Sequence, residues 1–248
     1  MNNTLTSAEK HLWDLIQNES QKVSEMSITK LSEYANVSTA TIVRTMKKMG
    51  YSGYTDFRHE LLGREKNGPR YKILAQADNA IKSVIIKNEI EVNNTLKNLE
   101  IGVIEDSIRQ IQVAKMIYIF ARGLSESLAR ELQMKLQLIG KYAEVQTDPN
   151  IIQTEAKKIQ RNCIVIFITL NGETPELVKA AKLLNQHDVT KIVFTTNENS
   201  SIVSYADLLF LGFKSENSYF QEYEVHSRLP LQIMTRILID SYIVRTKK

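Results

Sequence analysis

SITKLSEYANVSTATIVRTMKKMGYSGYTDF, residues 27–57, is the stretch that decides the N-terminal fold. Its pattern predicts two short helices joined by a tight turn at Asn36, with Ser38 as the N-cap of the second helix. At about 3.6 residues per turn, the second helix has an apolar side and an opposite side of small, hydroxyl and basic residues. The apolar side consists of Ile42, Val43, Met46 and Met49. This arrangement is typical of a helix-turn-helix, which reads a DNA groove.

The outward side of the second predicted helix provides the candidate DNA contacts. Small residues at its start allow a close approach to base edges, and Arg44 can bind guanine with two hydrogen bonds or hold a phosphate. The lysines lie further along, where the phosphate backbone would pass. The predicted DNA-binding residues are Ser38, Thr39, Thr41, Arg44, Lys47 and Lys48. A small helical subdomain with a solvated basic side would have the same spacing, so that alternative stays open here.

The charges are unevenly distributed along the chain. The net charge of all 248 residues is only +4. Residues 1–37 carry a net charge of −2, whereas residues 38–70 carry a net charge of +4. The basic surplus therefore coincides with the second predicted helix and the residues after it, as expected for a specific DNA-binding module.

Composition excludes several other classes of protein. The chain has 43% hydrophobic and 24% charged residues, which is typical of a globular protein. It contains no apolar run of about eighteen residues and no signal-peptide pattern, so we expect a cytoplasmic protein with no membrane partner. The single cysteine, Cys163, excludes a disulfide framework, and the histidines show no metal-ligand spacing. We therefore expect no metal, no cofactor and no catalytic residues.

The N-terminal part predicts an all-helical domain of residues 1–64. Its first helix begins at Thr6, which has capping-box spacing to Glu9. The apolar residues of this helix, which would pack under the helix-turn-helix, are Ala8, Leu12, Trp13, Leu15 and Ile16. A further helix is predicted over residues 55–62. The charged residues after it contain glycine and proline, which predicts a linker over residues 65–78.

Residues 79–248 are predicted to form a second domain, in which short apolar runs alternate with helices. The runs predict five strands, at residues 116–120, 142–145, 164–169, 191–195 and 208–211. Helices are predicted at residues 79–99, 104–111, 125–139, 151–159, 175–185 and 229–244. Continuous apolar strands separated by helices predict an α/β fold, an open parallel sheet covered on both faces.

Two loops of the second domain are candidate anion sites. Residues 121–127 and 169–174 each join a predicted strand to a helix start, and both combine glycine with hydroxyl residues. Backbone N–H groups at a helix start can hold a phosphate, helped by the helix dipole. Ordinary strand-to-helix connections contain the same residue types, so the spacing alone leaves both interpretations open.

Both halves of the chain resemble the RpiR family of bacterial transcriptional regulators. In the N-terminal half the resemblance rests on VSTATIVR at residues 37–44 and on GYSGY at residues 50–54. The C-terminal half is similar to the sugar isomerase (SIS) domain in the segments IYIFARGLSES, IVIFITLNGETPELVKAAKLL and SRLPLQIMTRILID. The resemblance implies a double-stranded DNA operator, a phosphosugar effector, and a homodimer or larger even-numbered oligomer. The ligand-binding residues that it implies are Gly123, Ser125, Thr169, Asn171, Gly172 and Thr174.

Both loops depart from the usual SIS pattern. Ala121 stands where the first loop of SIS domains begins with glycine, and Thr169 and Asn171 replace two serines of the second loop. Thr169 keeps a hydroxyl group and Asn171 offers an amide donor, so phosphate binding stays the expectation. Arg122 is either a charge partner of the ligand or a solvated loop residue.

Three functions are compatible with the sequence. The favoured one is a DNA-binding transcriptional regulator of sugar metabolism that senses a phosphosugar. The second is a DNA-binding dimer whose ligand pocket has lapsed. The third is a phosphosugar isomerase with a helical domain. Its proton transfer would need a positioned base, for which Glu173, Glu222 and His226 are the candidates.

Overall fold

The computed structural model describes residues 5–58, 61, 71–216, 219–220 and 225–246. The chain divides into two compact units, one of Met1–Glu91 with Ser215–His226 and one of Val92–Lys214 with Ser227–Lys248. The domain limits at residues 64 and 78 stay predictions.

The first unit is helical. Four helices open it: α1 (Ser7–Asn18), α2 (Ser20–Ser24), α3 (Ile28–Tyr34) and α4 (Thr39–Lys48). Residues 54–58 and 61 are also helical, and the remainder of the helix predicted over residues 55–62 lies outside the described residues. A short helix, Lys72–Gln76, falls inside the predicted linker, and the helix Asn79–Lys97 continues into the second unit.

Helices α1, α3 and α4 share one apolar core. Leu12 and Ile16 of α1, Leu31 of α3, and Ile42 and Met46 of α4 are all fully buried. Each of these residues lies on the apolar side that the helical period indicates. The core therefore confirms the predicted packing of the helix-turn-helix pair on the first helix.

The turn between α3 and α4 has the predicted form. Asn36 has a φ of 52°, in the left-handed region that asparagine tolerates better than most residues. Ser38 precedes α4 with an extended backbone, and its Oγ accepts a hydrogen bond from the N–H of Thr41 at 3.0 Å. The side chain thus satisfies one of the free N–H groups at the start of the helix, which confirms the N-cap.

The start of α1 also has the predicted capping box, but one predicted core position is wrong. Thr6 Oγ1 accepts from the Glu9 N–H at 3.3 Å, and Glu9 Oε2 accepts from the Thr6 N–H at 2.8 Å. Ala8 is exposed, whereas the neighbouring Glu9 is only 3% exposed. A carboxylate can occupy such a position only when it has polar partners, and Glu9 has them.

The second unit is an α/β fold around a five-stranded parallel sheet, as predicted. Its strands are β1 (Ile117–Ala121), β2 (Ala143–Gln146), β3 (Ile164–Ile168), β4 (Thr190–Thr195) and β5 (Leu208–Leu211). Their order across the sheet is β2-β1-β3-β4-β5, and every neighbouring pair is parallel. All five residues of β3 are buried, which explains why this strand reads as a continuous apolar run.

Helices cover both faces of the sheet. One face packs against the helices Ile101–Val113, Glu126–Leu138 and Leu229–Thr246. The other face packs against the helices Pro149–Ala156 and Pro175–Asn185. Successive side chains of β3 alternate between these faces, so Ile166 joins the first core and Phe167 the second.

Two helices begin earlier than the apolar pattern indicates. The helix predicted at residues 151–159 spans Pro149–Ala156, because Asp148 Oδ1 accepts from its first N–H groups at 2.8 and 3.0 Å. The helix predicted at residues 104–111 spans Ile101–Val113. At Pro149 a polar cap and a fixed-φ proline set the helix start, which apolar periodicity does not record, whereas Ile101–Val113 begins without a side-chain cap.

The strand order places the two candidate loops side by side. From β1 the chain crosses to β2 on one side, and from β3 it crosses to β4 on the other. Ala121 and Ile168, the last residues of β1 and β3, are partners in the parallel register. The loops that follow them therefore leave the same edge at the switch point of the sheet, where ligands bind in folds of this type.

Candidate functional site

The start and outward side of α4 form the candidate DNA surface. Ser38, Thr39, Arg44 and Lys47 are exposed, and Thr41 is half-buried. The hydroxyl oxygens of Ser38 and Thr41 lie 2.8 Å apart, and Arg44 Nη2 is 3.5 Å from Thr41 Oγ1. Five of the six predicted contacts thus remain accessible to a DNA groove.

Lys48, the sixth predicted contact, has a partner within the protein. Its Nζ lies 2.7 Å from Glu9 Oε2, and the side chains of Lys48 and Glu9 are 19% and 3% exposed. Burial raises the pKa of the Glu9 carboxyl, but hydrogen bonds from Lys48 and Thr6 outweigh it, and the net pKa is lowered. The sequence pattern could not reveal this pair because the two residues are 39 positions apart.

The loop after β3 carries hydroxyl groups without partners. Thr169 is 4% exposed, and Thr174 is the N-cap residue of the helix Pro175–Asn185 without a side-chain capping bond. Neither side-chain hydroxyl makes a hydrogen bond to another residue in the part of the chain that the structure describes. An uncapped helix start beside unpaired hydroxyls can accept an anion.

The same loop is held firmly by the residues after β4. Gly172 has a φ of 70°, and a Cβ atom built on it would lie 2.1 Å from Ser200 Oγ. Glu173 accepts from the N–H of Ser201 at 2.8 Å and from its hydroxyl at 2.6 Å. These hydrogen bonds from the Ser201 hydroxyl and backbone lower the pKa of the Glu173 carboxyl. Gly172 therefore shapes the loop, whatever it contributes to a ligand.

A lysine that the sequence reasoning missed completes this side of the site. Lys214 Nζ donates to Asn171 Oδ1 at 3.0 Å, and Lys214 forms no ion pair with a carboxylate of the described residues. Lys214 follows β5, 43 positions after Asn171. The only sequence signal that could have indicated Lys214 as a site residue was its position three residues after the strand predicted at residues 208–211.

The loop after β1 differs in its partners. Ser125 is 2% exposed, and its hydroxyl makes no hydrogen bond to another described residue. Gly123 has a φ of 58°, and its N–H donates to Glu126 Oε1 at 3.0 Å. Arg122 donates from Nε to Glu176 Oε1 at 3.0 Å and from Nη1 to the Thr147 carbonyl. Arg122 is therefore neutralised by the protein itself.

Other kinds of site find no support in the residues that the structure describes. They contain no group of three or more His, Cys, Asp or Glu side chains that could hold a metal ion. No helix among them is long and apolar enough to cross a membrane. Of the candidate bases, Glu173 is bound to Ser201, Glu222 lies outside the described residues, and His226 is half-buried.

Comparisons with known proteins agree with this architecture. Residues 110–238 match the SIS domain family, and residues 1–68 match the helix-turn-helix domain of the rpiR family. The HTH-type transcriptional regulator GlvR of Bacillus subtilis is 26% identical, over 94% of this chain and 88% of its own length. An uncharacterized HTH-type transcriptional regulator of Providencia stuartii is also 26% identical, over 90% of this chain and 81% of its own length.

Two solved structures share the fold. The NanR protein of Vibrio vulnificus, complexed with ManNAc-6P, has a TM-score of 0.61 at 21% identity and covers 97% of this chain and 88% of its own. The sugar isomerase domain of an RpiR transcription factor from Sphaerobacter thermophilus has a TM-score of 0.60 at 18% identity. It covers 66% of this chain and 89% of its own.

A helix-turn-helix unit joined to a SIS domain defines a DNA-binding transcriptional regulator. The chain belongs to the RpiR family of such regulators.

Proposed function

We propose that this regulator binds a phosphorylated sugar between the loops after β1 and β3, and that the sugar changes its affinity for an operator. The observation that carries the proposal is a set of hydroxyls without intramolecular partners among the described residues: Ser125, Thr169 and Thr174. They lie in the two loops at the switch point, and the lone ammonium of Lys214 adjoins Asn171. Hydroxyls, a helix start and a cation are the usual ligands of a phosphate group.

The related NanR protein supports this reading, because its structure was solved with a phosphorylated sugar bound. In the present chain we assign the phosphate to the loop of residues 169–174. These hydroxyls have no hydrogen-bond partner among the described residues, so they are free to donate to a partner on the ligand such as a phosphate oxygen. Binding of the phosphate would supply that partner and give the ligand a preference for the conformation in which both loops are aligned.

We further propose that the protein binds its sugar without converting it. Isomerisation needs a base whose pKa lies near the working pH, placed close to the sugar carbon that loses a proton. The bonds from Ser201 lower the pKa of Glu173, the carboxylate within the loop of residues 169–174, and so make it a weaker base. The isomerase alternative is accordingly not favoured.

For the DNA, we propose a homodimer or larger even-numbered oligomer that presents two copies of α4 to an inverted-repeat operator. One recognition helix contacts only a few base pairs, so specific binding by helix-turn-helix proteins generally uses two half-sites. Ser38, Thr39, Thr41 and Arg44 are assigned to base edges, and Lys47 to a phosphate.

The ligand proposal is tested by thermal unfolding of the full chain with a panel of phosphosugars, inorganic phosphate and unphosphorylated sugars. A ligand at a hundred times its dissociation constant stabilises the folded state by about 2.7 kcal/mol. Thr174→Val should abolish the shift with little change in stability, because its hydroxyl caps nothing. Thr246→Val is the matched control, because the Thr246 hydroxyl donates to the Tyr242 backbone carbonyl at the end of the last helix. A flat panel with intact DNA binding would instead establish the lapsed pocket.

The DNA proposal is tested by fluorescence anisotropy on a duplex selected from random sequence, at one fixed salt concentration. Arg44→Ala should cost about 1–3 kcal/mol, the value of one good base contact, and relax specificity at one position of each half-site. Arg161→Ala removes an equally exposed charge that pairs with Asp188 in the other unit, and it should leave affinity unchanged. Equal effects of the two variants would refute the assignment of α4.

A further inference from the structure

The two ligand loops differ in their charged neighbours. The loop after β3 has the ammonium of Lys214 beside it, and its one carboxylate, Glu173, is engaged by Ser201. Beside the loop after β1, Arg122 Nε lies 3.0 Å from Glu176 Oε1, at the start of the helix Pro175–Asn185, and Arg122 Nη1 lies 3.9 Å from Glu126 Oε1, at the start of the helix Glu126–Leu138. Because Arg122 pairs more closely with Glu176, the Glu126 carboxylate has the weaker counter-charge of the two and presents negative charge beside the loop after β1.

Glu126 is the acidic group that a ligand can reach. Its Oε1 accepts from the Gly123 N–H at 3.0 Å and lies 3.9 Å from Arg122 Nη1. Its Oε2 accepts no hydrogen bond from any residue that the structure describes, and the side chain is 31% exposed. Glu176 by contrast is bonded to Arg122 Nε at 3.0 Å and is less exposed. Glu126 Oε2 is thus an open acceptor on the residue that follows Ser125.

The two loops begin on neighbouring strands. Ala121 and Ile168 are partners in register, so the loops begin one strand spacing apart, about 4.8 Å. A phosphate seated at Thr174 leaves the ring and its substituents to face the loop after β1. A substituent there that donates a hydrogen bond gains the Glu126 acceptor, whereas a second anionic group meets a like charge.

We propose that Glu126 is a specificity residue, which selects a monophosphorylated sugar bearing hydroxyl or ammonium donors and rejects sugars with a second anionic group. This inference rests on the proposed function of the same site. It assigns to Glu126 a role that is separate from holding the phosphate. It also assigns the effector to the neutral and amino sugar phosphates, and excludes sugar-acid phosphates and bisphosphates.

The test measures dissociation constants of the full chain by titration calorimetry for four probes. These are glucosamine 6-phosphate, glucose 6-phosphate, 6-phosphogluconate and inorganic phosphate. The wild-type protein should bind the first two at least about tenfold more tightly than 6-phosphogluconate, since like charges disfavour the added carboxylate. Glu126→Gln should reduce that ratio by about tenfold, mainly through tighter binding of 6-phosphogluconate, and leave inorganic phosphate unchanged.

Glu126→Gln keeps an oxygen for the Gly123 N–H, so the loop retains its local hydrogen bond. Glu131→Gln is the matched control, because Glu131 lies on the same helix and pairs with Lys135 at 2.6 Å. An unchanged ratio in Glu126→Gln, or an equal change in Glu131→Gln, would overturn the specificity role while the phosphosugar site stands. If no probe binds, or Thr174→Val does not weaken phosphate, the proposed function fails and this inference fails with it.

Discussion

Two adjacent lysines of α4 should respond differently to removal of their charge. Lys47 is exposed, and we assign it to a DNA phosphate, whereas Lys48 pairs with buried Glu9 at 2.7 Å. Lys47→Met should therefore weaken DNA binding and leave folding unaffected. Lys48→Met should leave the ionic contacts with DNA in place but destabilise the first unit, because the Glu9 carboxylate loses its counter-charge.

The magnitudes follow from the two environments. Each phosphate neutralised by a lysine contributes about 0.9 to the slope of log affinity against log salt. The ratio of the DNA affinity at 50 mM salt to that at 200 mM salt therefore falls by about 3.5-fold when one contact is lost, and by about 12-fold when a dimer loses one contact per subunit. Breaking a buried ion pair by removing one partner usually costs about 3–5 kcal/mol of folding free energy. We expect about 3 kcal/mol here, the lower end of that range, because Lys48 is partly exposed.

The assay combines salt titrations of DNA affinity, read by fluorescence anisotropy, with urea unfolding. Because Lys48→Met alone can unfold the small helical unit, the double variant Glu9→Gln/Lys48→Met provides the binding data. It removes both charges, and the side-chain amide oxygen that Glu9→Gln introduces can still accept from the Thr6 N–H. Urea unfolding of the wild type, Glu9→Gln, Lys48→Met and the double variant completes a double-mutant cycle, which gives the coupling energy between Glu9 and Lys48.

The assignment of the two lysines is refuted if Glu9→Gln/Lys48→Met lowers the salt slope as much as Lys47→Met does, while Lys48→Met unfolds at the same urea concentration as the wild type. That result would mean that Lys48 leaves Glu9 and reaches a phosphate when DNA is bound. A coupling energy near zero in the cycle would equally show that the Glu9 pair contributes nothing to stability.

Three further predictions concern stability. Gly172→Ala should unfold at markedly lower denaturant than Gly123→Ala, since both positions have positive φ but only at Gly172 does the added Cβ meet Ser200, at 2.1 Å; equal costs would contradict the fit. Tyr54→Phe should lose about 1 kcal/mol, because the buried hydroxyl donates to backbone carbonyls at 3.0 and 3.3 Å, and chemical unfolding measures it. The pKa of Glu9 is lowered in the folded state, so Glu9 contributes its full stabilisation above the ordinary glutamate pKa of about 4.3. That stabilisation is lost as the pH falls through the folded-state pKa, and Glu9→Gln should flatten this part of a curve of unfolding free energy against pH.

Periodicity and turn chemistry were enough to predict most of the fold. The strand predicted at residues 208–211 matches β5, and each of the others differs by one residue at one or both ends. The apolar runs are decisive because parallel strands are buried on both faces. Local turn chemistry likewise located Ser38 as an N-cap before α4. These are properties of neighbouring residues, which a single sequence displays directly.

Long-range pairing could not be predicted in the same way. Glu9 reads as a capping residue and Lys48 as a DNA contact, and only the packing of α1 on α4 joins them. The loops were correctly located, but the contact of Lys214 with Asn171 depends on where the chain runs after β5. Side chains that meet across 39 or 43 positions leave no periodic signal.

The close contact between Gly172 and Ser200 constrains how this regulator can diverge. A side chain at position 172 requires the loss of both Oγ and Cβ at position 200, which lie 2.1 and 2.5 Å from the site of a new Cβ. The two positions must therefore change together, and the intermediate with only one change is disfavoured. New effector preferences are more readily acquired at exposed positions such as Leu124, which is 54% exposed. The loop of residues 169–174, to which we assign the phosphate, would then be inherited intact while the sugar is exchanged.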